Sequence, residues 1–191
     1  MAEVDHSRAG RVADLLDDHS FRGATSIDQG VPLGPGIYAI RLHFDSTLPD
    51  PFAEILAARP SRLIYLGKAT SLESRMLRNE LRGRGHGTFF RSIGAVLGYR
   101  PPAGSLANKV NKQNYSFTKP DRDAIVEWIN ANLEISWIEL PLPDVRSLEK
   151  ALITEHKPLL NLDGNPLALA ELDALRIECR TIAAGLPTPA L

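Results

Sequence analysis

With one cysteine, Cys179, in 191 residues, the chain has no partner for an intrachain disulfide and no cysteine cluster to hold zinc. That cysteine reads as a small buried hydrophobe, and its solitude suits a reducing compartment. No run approaches the ~20 apolar residues of a membrane span. Met1 to His6 is neither basic nor apolar, unlike a secretory leader, so a soluble cytoplasmic protein is expected. There is no internal repeat. Charge of one sign is also missing: the net value is -1, which as a total argues against a nucleic-acid binder.

The distribution of charge says otherwise. Residues 1–58 carry 4 basic against 9 acidic side chains, residues 59–122 carry 13 against 3, and residues 123–191 carry 5 against 11. A middle third this basic is either an ordinary solvated face or a surface for a phosphate backbone. The hydrophobic share, 43%, is enough for one globular core. The division expected is an N-terminal extension over 1–30, a main domain over 31–165 with an insertion at about 82–132, and a terminal helix and tail over 166–191.

In chain order, Val12, Leu15 and Leu16 suggest a short docking helix, and Ile37 to His43 a half-buried strand. Asp50-Pro51 opens a short helix carrying Phe52, Ile55 and Leu56. Arg62 to Tyr65 reads as a second strand, stopped by Gly67, and Ser71 caps a helix from Leu72 to about Leu81. Residues 78–87, basic and glycine-punctuated, read as a loop, and Thr88 as the cap of a helix to Leu97. Residues 99–119 form a loop that is either mobile or ordered by a partner, with Tyr99 and Tyr115 as possible stacking rings. A helix near Asp121 and a third strand, Glu134 to Leu140, follow, with Trp128 and Trp137 in the core. Helices from Ser147 to Glu155 and beyond Pro166 complete the chain. The Leu169, Leu172, Leu175, Cys179 and Ile182 stripe is either internal packing or a dimer seam, and Pro187 to Leu191 is a tail.

Most of the functional information lies in Tyr65-Leu-Gly-Lys-Ala-Thr-Ser-Leu-Glu-Ser-Arg75, with Gly36-Ile37-Tyr38 upstream. Those two segments, Arg75 ten residues after Tyr65, Glu149, and Asn161 twelve residues later resemble the GIY-YIG nuclease superfamily, especially the nuclease domain of bacterial excision-repair endonucleases. The resemblance implies an α/β (α+β) domain with a small, mainly antiparallel three-stranded sheet flanked by helices. It implies Tyr65 as general base, Tyr38 orienting water or phosphate, Arg75 on the scissile phosphate, Glu149 as ligand of Mg²⁺ or Mn²⁺, and Asn161 as a brace. Lys68 and Arg75 would favour the Tyr65 phenolate, whose unperturbed pKa is near 10. Without the resemblance, Glu149 reads first as a carboxylate favoured by the helix dipole.

Relatives carry a tyrosine or histidine shortly after the motif arginine. Here Asn79 stands there, and His86 is the candidate replacement. Arg78, Arg82, Arg84, Arg91, Lys109 and Lys112 are the basic residues expected to hold nucleic acid. The implied activity is metal-dependent hydrolysis of DNA phosphodiesters. A binding module of the same fold with little or no catalysis is the second reading, and a structural or regulatory protein whose acidic terminal regions bind another protein is the third; a homodimer or protein partner stays open.

Overall fold

The computed structural model describes residue 10, residues 12–111 and residues 113–186. The expectations for Lys112, the first nine residues and the tail at 187–191 lie outside these. One four-stranded antiparallel sheet, in the order β1-β4-β2-β3, organises the molecule: β1 Arg22–Gly23, β2 Gly36–Leu42, β3 Leu63–Ala69 and β4 Leu133–Glu139. Three strands were expected. The fourth is a two-residue pairing, Arg22 with Ile135 and Gly23 with Glu134, too short to leave an alternating pattern.

The helices are α1 Phe52–Ala57, α2 Thr88–Val96, α3 Lys119–Asn132, α4 Leu142–His156 and α5 Ala170–Ala184, with a π-helical segment Ser74–Glu80 between β3 and α2. Strand β2 was expected to be half buried, but both of its faces are covered. Tyr38, Ile40 and Leu42 enter one core cluster with Phe89, Ile93 and Ile125, while Ile37 and Ala39 enter another with Val145, Leu148 and Leu152 of α4. Residues 12–16 are helical and lay Leu15 against that second cluster, as the docking-helix expectation held.

Strand β3 extends past Gly67, where it was expected to stop, and contains an irregularity. Ile40 pairs with Tyr65, but Arg41 pairs with Leu63, so Ile64 is an extra residue. A bulge of this kind resets the alternation and turns Tyr65 to the face shared with Tyr38. Gly67 lies opposite Tyr38, and a Cβ there would meet the Tyr38 hydroxyl at 2.3 Å. The glycine makes room for the tyrosine ring rather than for a turn.

After β3, Ser71 caps as expected, its Oγ accepting from the Ser74 N–H at 3.3 Å. The helix then widens: Leu81 N–H donates to Met76 C=O, an i→i+5 bond. Residues 78–80, expected in a loop, belong to this wide turn. Helix α2 begins at Thr88 without a local side-chain cap; Glu80 Oε2 instead accepts from the Phe89 and Phe90 N–H groups at 2.9 and 3.3 Å. The loop over 99–118 is tied down at several points. Gly104 and Leu106 N–H donate to Ile182 and Ala183 C=O, and Tyr115 and Phe117 are buried. Tyr99 packs partly buried on the core, so neither tyrosine offers an open face for a base. Trp128 and Trp137 pack against the core, and Leu172, Cys179 and Ala183 of α5 are buried within it.

Candidate active site

Asn161 is anchored at the outer edge of β3. Its Oδ1 accepts from Leu66 N–H at 2.9 Å and its Nδ2 donates to Leu66 C=O at 2.8 Å, while Leu159 and Leu160 N–H donate to Leu63 and Ile64 C=O. Segment 159–161 thus covers an edge that would otherwise present unpaired backbone groups. The side-chain amide acts there as a substitute peptide.

Helix α4 starts at Leu142, earlier than the expected Ser147, which puts Glu149 two turns inside it. The dipole reading loses its basis, because that effect is confined to the first turn. Glu149 instead receives Lys68 Nζ in an ion pair across the mouth of β3. Tyr65, Lys68, Glu149 and Asn161 line one cleft of about 640 Å³, together with Arg146 and Arg176.

A second cleft, of about 730 Å³, shares Thr88 with the first and is lined by Arg75, Arg78, Asn79, Arg84, His86 and Arg91 among others. His86 therefore stands on the Arg75 side, with Asn79, and not on the Glu149 side. Asn79 packs close under the loop, its Oδ1 1.9 Å from where a Gly85 Cβ would lie.

Glu80 joins the two tyrosines' surroundings to the arginine. It is 1% exposed; its Oε1 accepts from the Tyr38 hydroxyl at 3.3 Å and from Arg75 Nη1 at 3.4 Å, and its Oε2 receives the α2 amides. Burial raises its pKa, with Arg75 and those amides opposing. Sequence reading missed this residue. In an α-helix, positions five apart lie about 140° apart around the axis; the i→i+5 turn stacks Arg75 over Glu80. A lone glutamate in a basic stretch was the available signal.

The Tyr38 and Tyr65 rings lie 6.2 Å apart, and Tyr65 packs 5.3 Å from Phe89. The expectation that the surroundings depress the Tyr65 pKa is not met. Burial first, then the Glu80 and Glu149 carboxylates, push the phenol well up, against the pull of Arg75 and Arg176. Tyr38 is raised as well, by burial, Glu80 and Tyr65.

Of the basic residues expected to hold nucleic acid, Arg78, Arg84 and Arg91 line the second cleft. Arg82 is spent inside the fold: it pairs with Asp28 at 2.6 Å and donates to Ala24 C=O at 3.0 Å and Asn130 Oδ1 at 3.1 Å. Lys109 is exposed on its loop and lines neither cleft. Arg146, Lys150 and Arg176, which line the first cleft, were missed because they sit in the acidic third of the sequence.

As to a metal, the described residues contain no group of three His, Cys, Asp or Glu side chains poised to bind one. Glu149 supplies one hard oxygen donor in a polar cleft. That fits Mg²⁺, which commonly takes one or two carboxylates and completes its shell with substrate phosphates and water. No helix among the described residues is long and apolar enough to cross a membrane.

The GIY and YLG segments lie on adjacent antiparallel strands of one sheet, with Arg75 on the π-helical segment after β3 and Glu149 on α4. The GIY-YIG catalytic domain model matches residues 36–178, and the chain belongs to that family. No curated protein and no solved structure matches the chain.

Proposed function

We propose that the protein is a divalent-metal-dependent DNA endonuclease. The observation that carries this reading is the meeting of Tyr65, Lys68 and Glu149 in one cleft that shares Thr88 with the arginine-lined cleft containing Arg75. Phosphodiester hydrolysis needs a water stripped of a proton, positive charge around the phosphoryl oxygens, and a fixed geometry. Tyr65, as the phenolate, takes the water's proton on its oxygen and becomes the phenol, and Tyr38, held by Glu80, sets the neighbouring ring. Arg75 binds the scissile phosphate with the guanidinium atoms that Glu80 does not engage. Asn161 holds β3, and with it Tyr65, in register. When bound at Glu149, Mg²⁺ or Mn²⁺ supplies Lewis-acid stabilisation of the phosphoryl oxygens and offsets a carboxylate charge that keeps the Tyr65 phenol protonated.

Because burial raises the Tyr65 pKa, its base form grows with pH. Cleavage by the wild type should therefore rise through the neutral and mildly alkaline range, and a single-turnover pH series checks this. Cleavage of single-stranded, duplex, nicked and forked DNA with Mg²⁺ or Mn²⁺ tests the whole reading. Cutting should be lost in Glu149→Ala and Tyr65→Phe while binding persists.

Asn79, standing where relatives carry a second base, favours the alternative of a binding module with weak or no catalysis. Wild-type protein that binds the panel yet cuts none of it would establish that alternative.

A further inference from the structure

Arg91, one turn into α2, is 7% exposed, and its Nε and Nη1 are buried without a hydrogen-bond partner among the described residues. Its guanidinium lies 5.8 Å from the Tyr115 ring centroid, a cation–π contact that fixes its direction but returns no hydrogen bond. A buried cation is costly unless paired and hydrogen-bonded. Burial indeed lowers the Arg91 pKa.

The nearby Glu80 carboxylate favours the charged guanidinium through space but makes no hydrogen bond or ion pair with it. Both Glu80 oxygens are committed, one to Tyr38 and Arg75 and the other to the start of α2. The same commitment removes the helix N-terminus as an anion site. The cleft that Arg91 lines has no Asp or Glu in its wall, and Arg78 and Arg84 in that wall make no ion pair with the described residues. Such a buried cation is matched by an anion at the cleft wall: Nε and Nη1 lie too deep to be touched, and Nη2, which is not among the buried atoms, is the nitrogen that can offer its N–H groups to a phosphate oxygen.

We propose that Arg91, held by Tyr115, forms a second phosphate subsite beside Arg75 and takes a backbone phosphate of the strand being cut, next to the scissile one. This rests on the nuclease reading and adds to it a fixed point for the strand.

The test is a salt series of binding to a fluorescent 12-nucleotide single strand and to its duplex, without divalent metal, comparing the full chain with Arg91→Met. Free-protein melting temperatures are taken in parallel. Loss of one phosphate contact should weaken affinity about tenfold at low salt. The slope of log affinity against log salt should flatten by about 0.7 for the single strand and about 0.9 for the duplex. The melting temperature of the free variant should equal or exceed that of the wild type, which a residue with a merely structural role would not show. If Arg91→Met does not fold, Arg91→Gln carries the same comparison.

Equal affinity and equal slope in a folded variant would overturn the subsite while leaving the nuclease reading intact, as would a variant whose binding loss only tracks a lowered melting temperature. A wild type with no salt-dependent affinity and no cutting would overturn the nuclease reading, and the subsite with it.

Discussion

Glu80 is where the chemistry of single residues bears hardest on the site, since one carboxylate positions Tyr38, Arg75 and the first turn of α2. Glu80→Gln keeps the shape and an acceptor for the α2 amides but turns a donor toward Arg75 Nη1, itself a donor. Arg75 should then be displaced, and the rate of the chemical step should fall about tenfold or more, with affinity for DNA little changed. Single-turnover cleavage alongside binding separates the two effects. Stability carries a signature of its own. The folded-state pKa of Glu80 is raised above its ordinary value near 4.5, so its contribution is greatest below that value and is lost as pH rises through the folded-state pKa. The melting temperature of wild type relative to Glu80→Gln should therefore decline as pH rises from about 4 toward neutrality, and a flat difference would argue that Glu80 is not the buried group that titrates. Asn161 is the contrasting case: the family resemblance implied a brace, and its side-chain amide bonds both backbone groups of Leu66. Truncation in Asn161→Ala strands two buried backbone groups of Leu66, at about 1–3 kcal/mol each, and should lower the denaturant midpoint without changing the slope.

At the scale of elements, the strands and most helices were readable because their apolar periods are long enough to register, as in Lys119–Asn132, whose start Thr118 caps at 3.2 Å from Asp121 N–H. The unreadable features are departures from period. The bulge at Ile64 and the π-turn over Ser74–Glu80 each add one residue to a regular repeat, and each re-aims a side chain of the site, Tyr65 in the first case and Glu80 in the second. Sequence alternation alone puts Tyr65 on the face of Leu63, and 3.6-residue periodicity parts Glu80 from Arg75. Gly67 can be tested at this scale. Gly67→Ala puts a methyl group 2.3 Å from the Tyr38 hydroxyl and 2.4 Å from its ring carbon, so the ring or the strand pair must shift. Overpacking of this kind costs about 1–3 kcal/mol, and because Tyr38 is what moves, cleavage should suffer as well. Tyr38→Phe in the same background removes only the hydroxyl; a partial return of the melting temperature in the double variant would identify the clash.

For the whole molecule, position along the chain proves a poor guide to position in space. The basic third does line the second cleft through Arg75, Arg78, Arg84 and Arg91, yet Arg82 from the same third is held by Asp28, Ala24 and Asn130, and Lys109 lies away from both clefts. Folding brings Arg146 and Lys150 of α4 and Arg176 of α5 from the acidic third to face Lys68 across the first cleft. The result is two clefts each lined by several cations, with Glu149 and Asp163 also in the first, on a chain whose net charge is -1, and it is the local field, not the total, that acts on an anion in a cleft. Two single substitutions separate these views. Both Arg176→Gln and Lys109→Gln remove one positive charge, so an affinity set by net charge would fall equally. If the clefts hold the strand, Arg176→Gln should weaken binding severalfold and flatten the salt dependence by close to one contact, while Lys109→Gln changes neither. Equal losses from the two variants would favour the net-charge view, and a loss confined to Lys109→Gln would move the nucleic-acid surface to the 99–118 loop.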